Sequence, residues 1–306
     1  MSSCNRGINP TAMNSTFHSH DDNARNDHAF TLLELLVIIT VIALLAAMVL
    51  PVLVRNRSDS KAFRCLNNQR QLTLAFRAYA EDNNDYLPGN DFPWMTFVSS
   101  IPFSARGNWA PGSMATADKA NVFALRDSSI SQLYNYLKTS DAFKCPADQS
   151  AVVRSVSMSA AVGVQWCYAG NGYNPPTGVL RGSQPLSGAW LPGSYNASQT
   201  TWLTYGKFSS MIRPTPANLW VIMDEHPDSI NDSQVVTAAV PGYLIDYPAS
   251  YHAGAGGISF GDGHAEMHYW QDSRTKPPIT GSSLLSVVSI NNPDTAWLAQ
   301  RTSALR

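Results

Sequence analysis

The longest apolar run in the chain extends from Phe30 to Val54 and contains one charged residue, Glu34. A helix of these 25 residues would be roughly 37 Å long, which exceeds the bilayer core of about 30 Å. The stretch before it, residues 1–29, is polar and holds only two basic residues. No A-x-A-like site follows the run, as an ordinary secretory signal requires. The pattern predicts a membrane-spanning helix that is not removed behind its apolar segment.

An amphipathic second half of the same helix is predicted for residues 55–82. Apolar residues recur there at spacings of three to six: Phe63, Leu66, Leu72, Phe76 and Tyr79. The sequence EDNNDYLPGND then ends the helix, because Asn, Asp, Pro and Gly are turn formers. We therefore expect one long N-terminal helix whose first half crosses the membrane and whose second half packs on the rest of the chain.

Residues 83–306 are predicted to form a loop-rich globular α/β domain with an antiparallel β-sheet. A short helix is expected over Ser128–Asp141, and LWVIMDE is typical of a buried strand. Alternating apolar residues from Gly257 to Trp270, on both sides of a DG pair, predict a β-hairpin. The Pro-rich and Gly-rich stretches between Tyr168 and Tyr205 are typical of surface loops. The expected fold class is α+β.

Composition changes this picture little. Charged residues make up 14% of the chain, against roughly 25% in ordinary soluble domains, and the net charge is -1. This balance offers no electrostatic footprint for nucleic acid, and it suits a protein that faces the outside of a cell. The four cysteines, at positions 4, 65, 145 and 167, contain no C-x-x-C pair and no zinc-finger spacing. Metal binding through thiolates is therefore not expected.

The sequence AFTLLELL, which begins at Ala29, resembles the signal of type IV prepilins and pseudopilins. The resemblance implies that a prepilin peptidase cleaves between Ala29 and Phe30 and that the new amino terminus of Phe30 is methylated. It also implies that Glu34, at the fifth mature position, pairs with this cationic terminus in a neighbouring subunit, where the opposite charges offset each other's burial cost. Pro51 stands where pilin-like helices commonly carry a proline. The chain departs from the family in its long, hardly basic leader and in Ala29, where Gly is usual.

Four further segments are similar to pilin-like proteins of planctomycete and verrucomicrobial type that end in an H-x9-DG element. They are RCLNNQRQLTLAFRAYAEDNNDYLP, FKCPAD, MDEHPDSIND and YHAGAGGISFGDGH. His252 and the pair Asp262-Gly263 match the H-x9-DG spacing, for which the family supplies a pattern and no chemistry. Because Cys65 and Cys145 belong to these segments and an exported compartment permits oxidation, the resemblance also implies a disulfide between them.

Acidic and histidine residues provide the remaining candidates for a site. They are Asp224, Glu225, His226, Asp228, Asp232, His252, Asp262 and His264. Their order matches neither H-E-x-x-H nor an EF-hand loop. A structural Ca²⁺ held by Asp224, Glu225, Asp228 and Asp232 stays open, because some pseudopilins bind calcium; otherwise no cofactor is expected. In the alternative interpretation these residues form turns and hydrogen-bonded loops, with Asp262 in the hairpin turn and His252 donating to a nearby carbonyl.

The function expected from this resemblance is that of a structural subunit and not an enzyme. Its segments would be a prepilin leader (1–29), a membrane and assembly half-helix (30–54), an amphipathic half-helix (55–82) and an exported domain (83–306). The protein would be single-pass in the inner membrane, with its C-terminal domain in the periplasm or at the cell surface. Its partners would be other copies, related pilin-like subunits, the prepilin peptidase and the inner-membrane assembly machinery. A membrane-anchored extracytoplasmic enzyme and a carbohydrate-binding module remain alternatives.

Overall fold

The computed structural model describes residues 31–90, 108–164 and 202–305, with residues 49–59 as helical backbone only. The chain divides into two compact units, one up to Val52 and one from Leu53 onward. The predicted leader, the cleavage site between Ala29 and Phe30, and most of the predicted loop region after Tyr168 lie outside the described residues.

Helix α1 extends from Leu32 to Asp82, so its end agrees with the predicted one. Just beyond it, Asn84 and Asp85 adopt left-handed backbone angles, which end a right-handed helix. Pro51 lies within α1, and its predicted role stays a prediction.

A single stripe of α1 is buried in the second unit. Its members recur at steps of four and three residues: Cys65, Gln69, Leu72, Phe76 and Tyr79. The amphipathic prediction is confirmed for the last three and wrong for Phe63, which is 67% exposed. From Leu72 toward the N-terminus, the stripe continues three residues back at Gln69 and a further four back at Cys65, so it does not include Phe63. The stripe thus places a polar side chain and a thiol where the apolar pattern alone predicts hydrocarbon.

The central sheet has five strands in the order β3-β1-β2-β5-β6. Their bounds are Val156–Ser159 for β1, Trp220–Asp224 for β2, Gln234–Val235 for β3, Ala255–Phe260 for β5 and Ala265–Tyr269 for β6. All pairings are antiparallel except β1 with β3. The short strands β4 (Tyr243–Leu244) and β7 (Val287–Val288) form a separate antiparallel pair. The α+β class with an antiparallel-rich sheet is confirmed.

The predicted strand LWVIMDE and the predicted hairpin are both present. Strand β2 is buried along its whole length, and β5 pairs with β6 from Ala255↔Tyr269 to Ser259↔Ala265. The turn between them contains Asp262 and Gly263, whose φ of 98° is a conformation that favours glycine. The local pattern was sufficient here because turn residues and alternation agree.

The helix predicted over Ser128–Asp141 is much shorter in the structure. Helix α3 covers only Tyr134–Leu137, and a 3₁₀ turn follows at Asp141–Phe143. Before α3, the Asp127 carboxylate accepts hydrogen bonds from both the backbone and the hydroxyl of Ser129, which stabilises a turn. After α3, Lys138 adopts a φ of 57°, which ends the helix.

The remaining helices are short. Helix α2 covers Val122–Arg126, and helix α4 covers Pro293–Thr302. Asn292 caps α4, because its side chain accepts a hydrogen bond from the Asp294 backbone N–H at 2.8 Å.

Candidate functional site

The first turn of α1 is closed by a reciprocal pair of hydrogen bonds between Thr31 and Glu34. The backbone N–H and the hydroxyl of Thr31 each donate to Glu34 Oε2 at 2.9 Å, and the Glu34 N–H donates to Thr31 Oγ1 at 3.2 Å. This is a capping box, which satisfies two N–H groups that a helix start otherwise leaves unpaired. Sequence analysis missed it, although the T-x-x-E spacing before an apolar run is its signal.

Behind this cap, the large apolar side chains from Leu32 to Met48 are all exposed. Their exposed fractions range from 42% at Ile38 to 84% at Leu32. A contiguous apolar surface of this length is a feature of segments that contact protein or lipid. Among the residues whose side chains are described, no helix has a stretch both long and apolar enough to count as a candidate membrane span. The predicted span over Phe30–Val54 stays a prediction.

In the second unit, four side chains with metal-ligating atoms meet in the interior. These are Cys65, Cys145, Asp224 and His252, which we call the Cys-Asp-His cluster. Their ligand atoms, two sulfurs, one carboxylate oxygen and one imidazole nitrogen, all lie within 4.8 Å of one another. The four residues are between 0% and 7% exposed. Within the described ranges this is the one group of at least three His, Cys, Asp or Glu residues so placed.

The direct contacts within the Cys-Asp-His cluster form two pairs. The Cys65 thiol donates to Asp224 Oδ2 at 2.9 Å, and Cys145 Sγ lies 3.2 Å from His252 Nε2. Two neighbours fix the Asp224 carboxylate: Gln69 Nε2 donates to Oδ1 at 3.2 Å, and the Gly257 N–H donates to Oδ2 at 2.9 Å. The carboxylate is therefore held in one orientation from three sides.

Each member of the cluster comes from a different element. Cys65 lies on the buried stripe of α1, and Asp224 is the last residue of β2. Cys145 follows the 3₁₀ turn, and its backbone N–H donates to Ser155 Oγ at 2.7 Å. His252 opens the tight turn before β5, where its backbone N–H and carbonyl both bond to Ala255. The central sheet, the helix and two loops thus converge on one point.

Burial dominates the electrostatics of the cluster. It raises the pKa of Asp224 to about 6, against the lowering effect of the hydrogen bonds from Cys65, Gly257 and Gln69. It also lowers the pKa of His252, with a smaller contribution in the same direction from Lys61. The neighbouring Cys145 side chain, followed by burial and the charge of Asp224, raises the pKa of the Cys65 thiol. Without a cation, these surroundings favour neutral forms.

The structure brings Cys65 and Cys145 together, yet both are free thiols. The disulfide between them is absent here, and the pairing stays a prediction. His252 was expected to donate to a carbonyl; its imidazole instead faces the Cys145 sulfur, because the loop before β5 directs it into the cluster. Asp262 and Gly263 lie in the β5–β6 turn as expected, where the His264 N–H donates to Asp262 Oδ1 at 3.1 Å.

The four proposed calcium ligands do not gather at one point. Asp224 belongs to the Cys-Asp-His cluster, whereas Asp232 accepts a hydrogen bond from the Gln234 N–H. The half-buried Asp228 carboxylate accepts hydrogen bonds from the Thr280 and Gly281 backbone N–H groups. Glu225 follows Asp224 at the strand end, and successive side chains point to opposite sides of a strand.

A second buried group of charged side chains, separate from the Cys-Asp-His cluster, consists of Arg154, Glu225, Asp232 and Asp246. The side chains of Glu225, Asp232 and Asp246 are buried, and the Arg154 guanidinium donates to the Asp232 carbonyl at 2.7 Å. Burial raises the pKa of the Asp232 carboxyl to about 7, although its bond from Gln234 and the charge of Arg154 act in the opposite direction. The acidic candidates named from the sequence are thus divided between this group, the Cys-Asp-His cluster and the turns that contain Asp228 and Asp262.

Comparison with known proteins concerns the start of the chain. No curated protein and no solved structure matches the chain significantly. The family model of the prokaryotic N-terminal methylation motif matches residues 24–50. This range includes Ala29, Phe30 and the Thr31–Glu34 capping box. The match implies processing by prepilin peptidase and membrane anchoring in general terms. Residues 24–50 are therefore the prokaryotic N-terminal methylation motif, the signal carried by type IV pilins and pseudopilins.

Proposed function

We propose that this chain is a structural subunit of a pilus-like or pseudopilus filament, assembled through the first half of α1. The observation that carries the proposal is the methylation motif at residues 24–50. The exposed apolar side chains from Leu32 to Met48 support it, because packed helices of neighbouring subunits or lipid would cover them. In this proposal the segment from Phe30 to Val54 spans the inner membrane before assembly, and the second unit lies in the periplasm or at the cell surface.

The proposed assembly contact is an ion pair between Glu34 and the methylated amino terminus of Phe30 in a neighbouring subunit. Two opposite charges that share an apolar site offset each other's desolvation cost. In the single chain, Glu34 Oε2 accepts the bonds from Thr31, so one carboxylate oxygen has partners before any neighbour arrives. The carboxylate is therefore held at the start of α1 before a neighbouring subunit binds.

We propose no catalytic role. The acidic and histidine candidates are distributed over separate sites, and the members of the Cys-Asp-His cluster are almost completely buried. The proposed partners are further copies, related pilin-like subunits, the prepilin peptidase and the inner-membrane assembly machinery.

Mass spectrometry of the mature N-terminus tests the processing step. We expect a chain that begins with N-methylated Phe30 in cells with prepilin peptidase and the uncleaved chain in cells without it. A mature start at another residue, or a cut that persists without the peptidase, would contradict the proposal.

Crosslinking of neighbouring subunits tests the assembly step. The variant Glu34→Gln keeps the hydrogen-bond acceptor of the capping box, since Gln also serves there, and removes the charge. We expect normal processing and a strong loss of crosslinked subunits. Thr31→Ala is the matched control, because it removes the cap and retains the charge; it should still assemble. Normal assembly of Glu34→Gln would refute the charge pairing.

A further inference from the structure

We propose that the Cys-Asp-His cluster is a structural Zn²⁺ site, with one ligand from each of four distant segments. The site is independent of the proposed assembly function, because its ligands all belong to the second unit. The ligands would be Cys65 Sγ, Cys145 Sγ, one Asp224 carboxylate oxygen and His252 Nε2.

The spacing of the donor atoms suits a zinc sphere. Bonds of about 2.0–2.3 Å in a tetrahedron place neighbouring ligand atoms about 3.3–3.8 Å apart. The measured contacts of 2.9 Å between Cys65 Sγ and Asp224 Oδ2 and 3.2 Å between Cys145 Sγ and His252 Nε2 lie just below this range. The widest separation in the cluster is no more than 4.8 Å. Small side-chain movements would bring all four atoms to bonding distance of one central ion.

The donor types select the metal. Calcium prefers six to eight oxygen ligands, and the cluster offers two sulfurs and one nitrogen. Thiolate, imidazole and carboxylate together are ligands of Zn²⁺, for which four protein donors complete a tetrahedral shell. Because four protein donors leave no position for substrate and all four residues are buried, the site is structural rather than catalytic.

The surroundings of Asp224 are those of a supported metal ligand. Its carboxylate is oriented by the Gln69 amide and the Gly257 N–H, as outer-shell groups commonly orient ligands. A Cβ at Gly257 would lie 3.0 Å from both Asp224 Oδ2 and Cys65 Sγ. The chain thus has a glycine at a position where any side chain would press against two members of the cluster.

A zinc site accounts for all four side chains, whereas a disulfide accounts for two. Oxidation of Cys65 and Cys145 to a disulfide would need an external oxidant. Zinc binding needs no oxidant: both thiols release their protons to solvent and the thiolates bind the cation. In this reading the histidine of the H-x9-DG element is a metal ligand.

The first test uses the detergent-solubilised full chain, purified under reducing conditions. We expect stoichiometric zinc by elemental analysis. After removal of metal with a chelator, added Zn²⁺ should raise the melting temperature by several degrees, and Ca²⁺ should not. Added Co²⁺ should produce a thiolate-to-metal charge-transfer band. A chain without zinc that gains neither stability from Zn²⁺ nor the Co²⁺ band would overturn the proposal, as would an intact mass showing Cys65 and Cys145 joined in a disulfide.

Matched variants assign the ligands. Asp224→Asn should lose the zinc and the Co²⁺ charge-transfer band, whereas Asp232→Asn, at a buried carboxylate outside the cluster, should retain both. His252→Gln should likewise lose the zinc and the band. His268→Gln, at a histidine of β6 that stacks on Trp297 outside the cluster, should retain both. Where a cluster variant fails to fold, the zinc content and the Co²⁺ spectrum of the unaltered chain decide the question. Full zinc content in folded Asp224→Asn and His252→Gln would refute this ligand set. None of these results depends on filament assembly, so their failure is distinguishable from failure of the proposed function.

Discussion

Gly257→Ala inserts one methyl group against the side chains of the Cys-Asp-His cluster. The new Cβ would lie 3.0 Å from Asp224 Oδ2, 3.0 Å from Cys65 Sγ and 3.4 Å from Gln69 Cγ. Each neighbour must move by a few tenths of an ångström, and overpacking of this kind costs about 1–3 kcal/mol. Alanine also restricts the unfolded chain, which returns about 0.4–1 kcal/mol. We expect a net destabilisation of about 1–2 kcal/mol.

For a domain of this size that loss corresponds to a fall in melting temperature of about 2–8 °C. Thermal unfolding of the full chain in detergent, followed by circular dichroism, measures it. The same sample should show weakened zinc retention during dialysis against chelator, because the displaced carboxylate no longer has its set orientation. Gly263→Ala is the control: its Cβ would meet nothing within 4 Å, so its cost comes only from the φ of 98° and leaves zinc retention unchanged. Unaltered melting and zinc retention in Gly257→Ala would refute the crowding argument.

Three further changes test the second unit. Leu72→Ala, in the buried stripe of α1, should lower the free energy of unfolding in urea by about 2–5 kcal/mol, whereas Leu74→Ala, 63% exposed, should change it by less than about 0.5 kcal/mol; equal effects would contradict the buried stripe. Asn292→Ala removes the cap bond to Asp294 and should cost about 1–2 kcal/mol in the same assay, and an unchanged midpoint would count against the cap. Asp232 has its pKa raised to about 7 in the folded chain, above an unfolded value of about 3.9, so its stabilising contribution is complete below pH 4 and is lost as the pH rises to 7. The slope of the unfolding free energy against pH reports the difference in bound protons between the folded and unfolded chain, and Asp232→Asn should reduce that difference by up to about one proton between pH 4 and 7. Identical slopes in the variant and the unaltered chain would show that the pKa of the carboxyl is not raised.

Local patterns predicted the elements whose signals agree with one another. The end of α1 follows from a cluster of turn formers, and the β5–β6 hairpin follows from alternation around Asp262 and Gly263. The helix predicted over Ser128–Asp141 was too long. Its apolar spacing carries no information about the turn at Asp127 or the left-handed conformation of Lys138, which limit the helix on either side. Apolar spacing states which faces can be buried, and side-chain capping decides where a helix can begin and end.

The Cys-Asp-His cluster lay beyond sequence reasoning for a different reason. Zinc motifs are recognised by short spacings such as C-x-x-C, and here no two ligands are close in sequence. The buried stripe of α1 brings Cys65 inward only because its register passes through that residue rather than through Phe63. Sequence analysis named all four residues, but it assigned the cysteines to a disulfide and placed Asp224 and His252 in a separate set of acidic and histidine candidates. Only the tertiary fold shows that they share one point.

The wide separation of these residues also fixes the order in which the cluster can be completed. Cys65 precedes Asp224 by 159 positions, and Cys145 precedes His252 by 107. Because a chain is synthesised from its N-terminus, both thiols exist for some time before the acid and the imidazole have been made. Contacts that close such long loops also form late in folding. The two cysteines are therefore synthesised well before the acid and the imidazole, and the cluster has all four of its side chains only once His252 has been made.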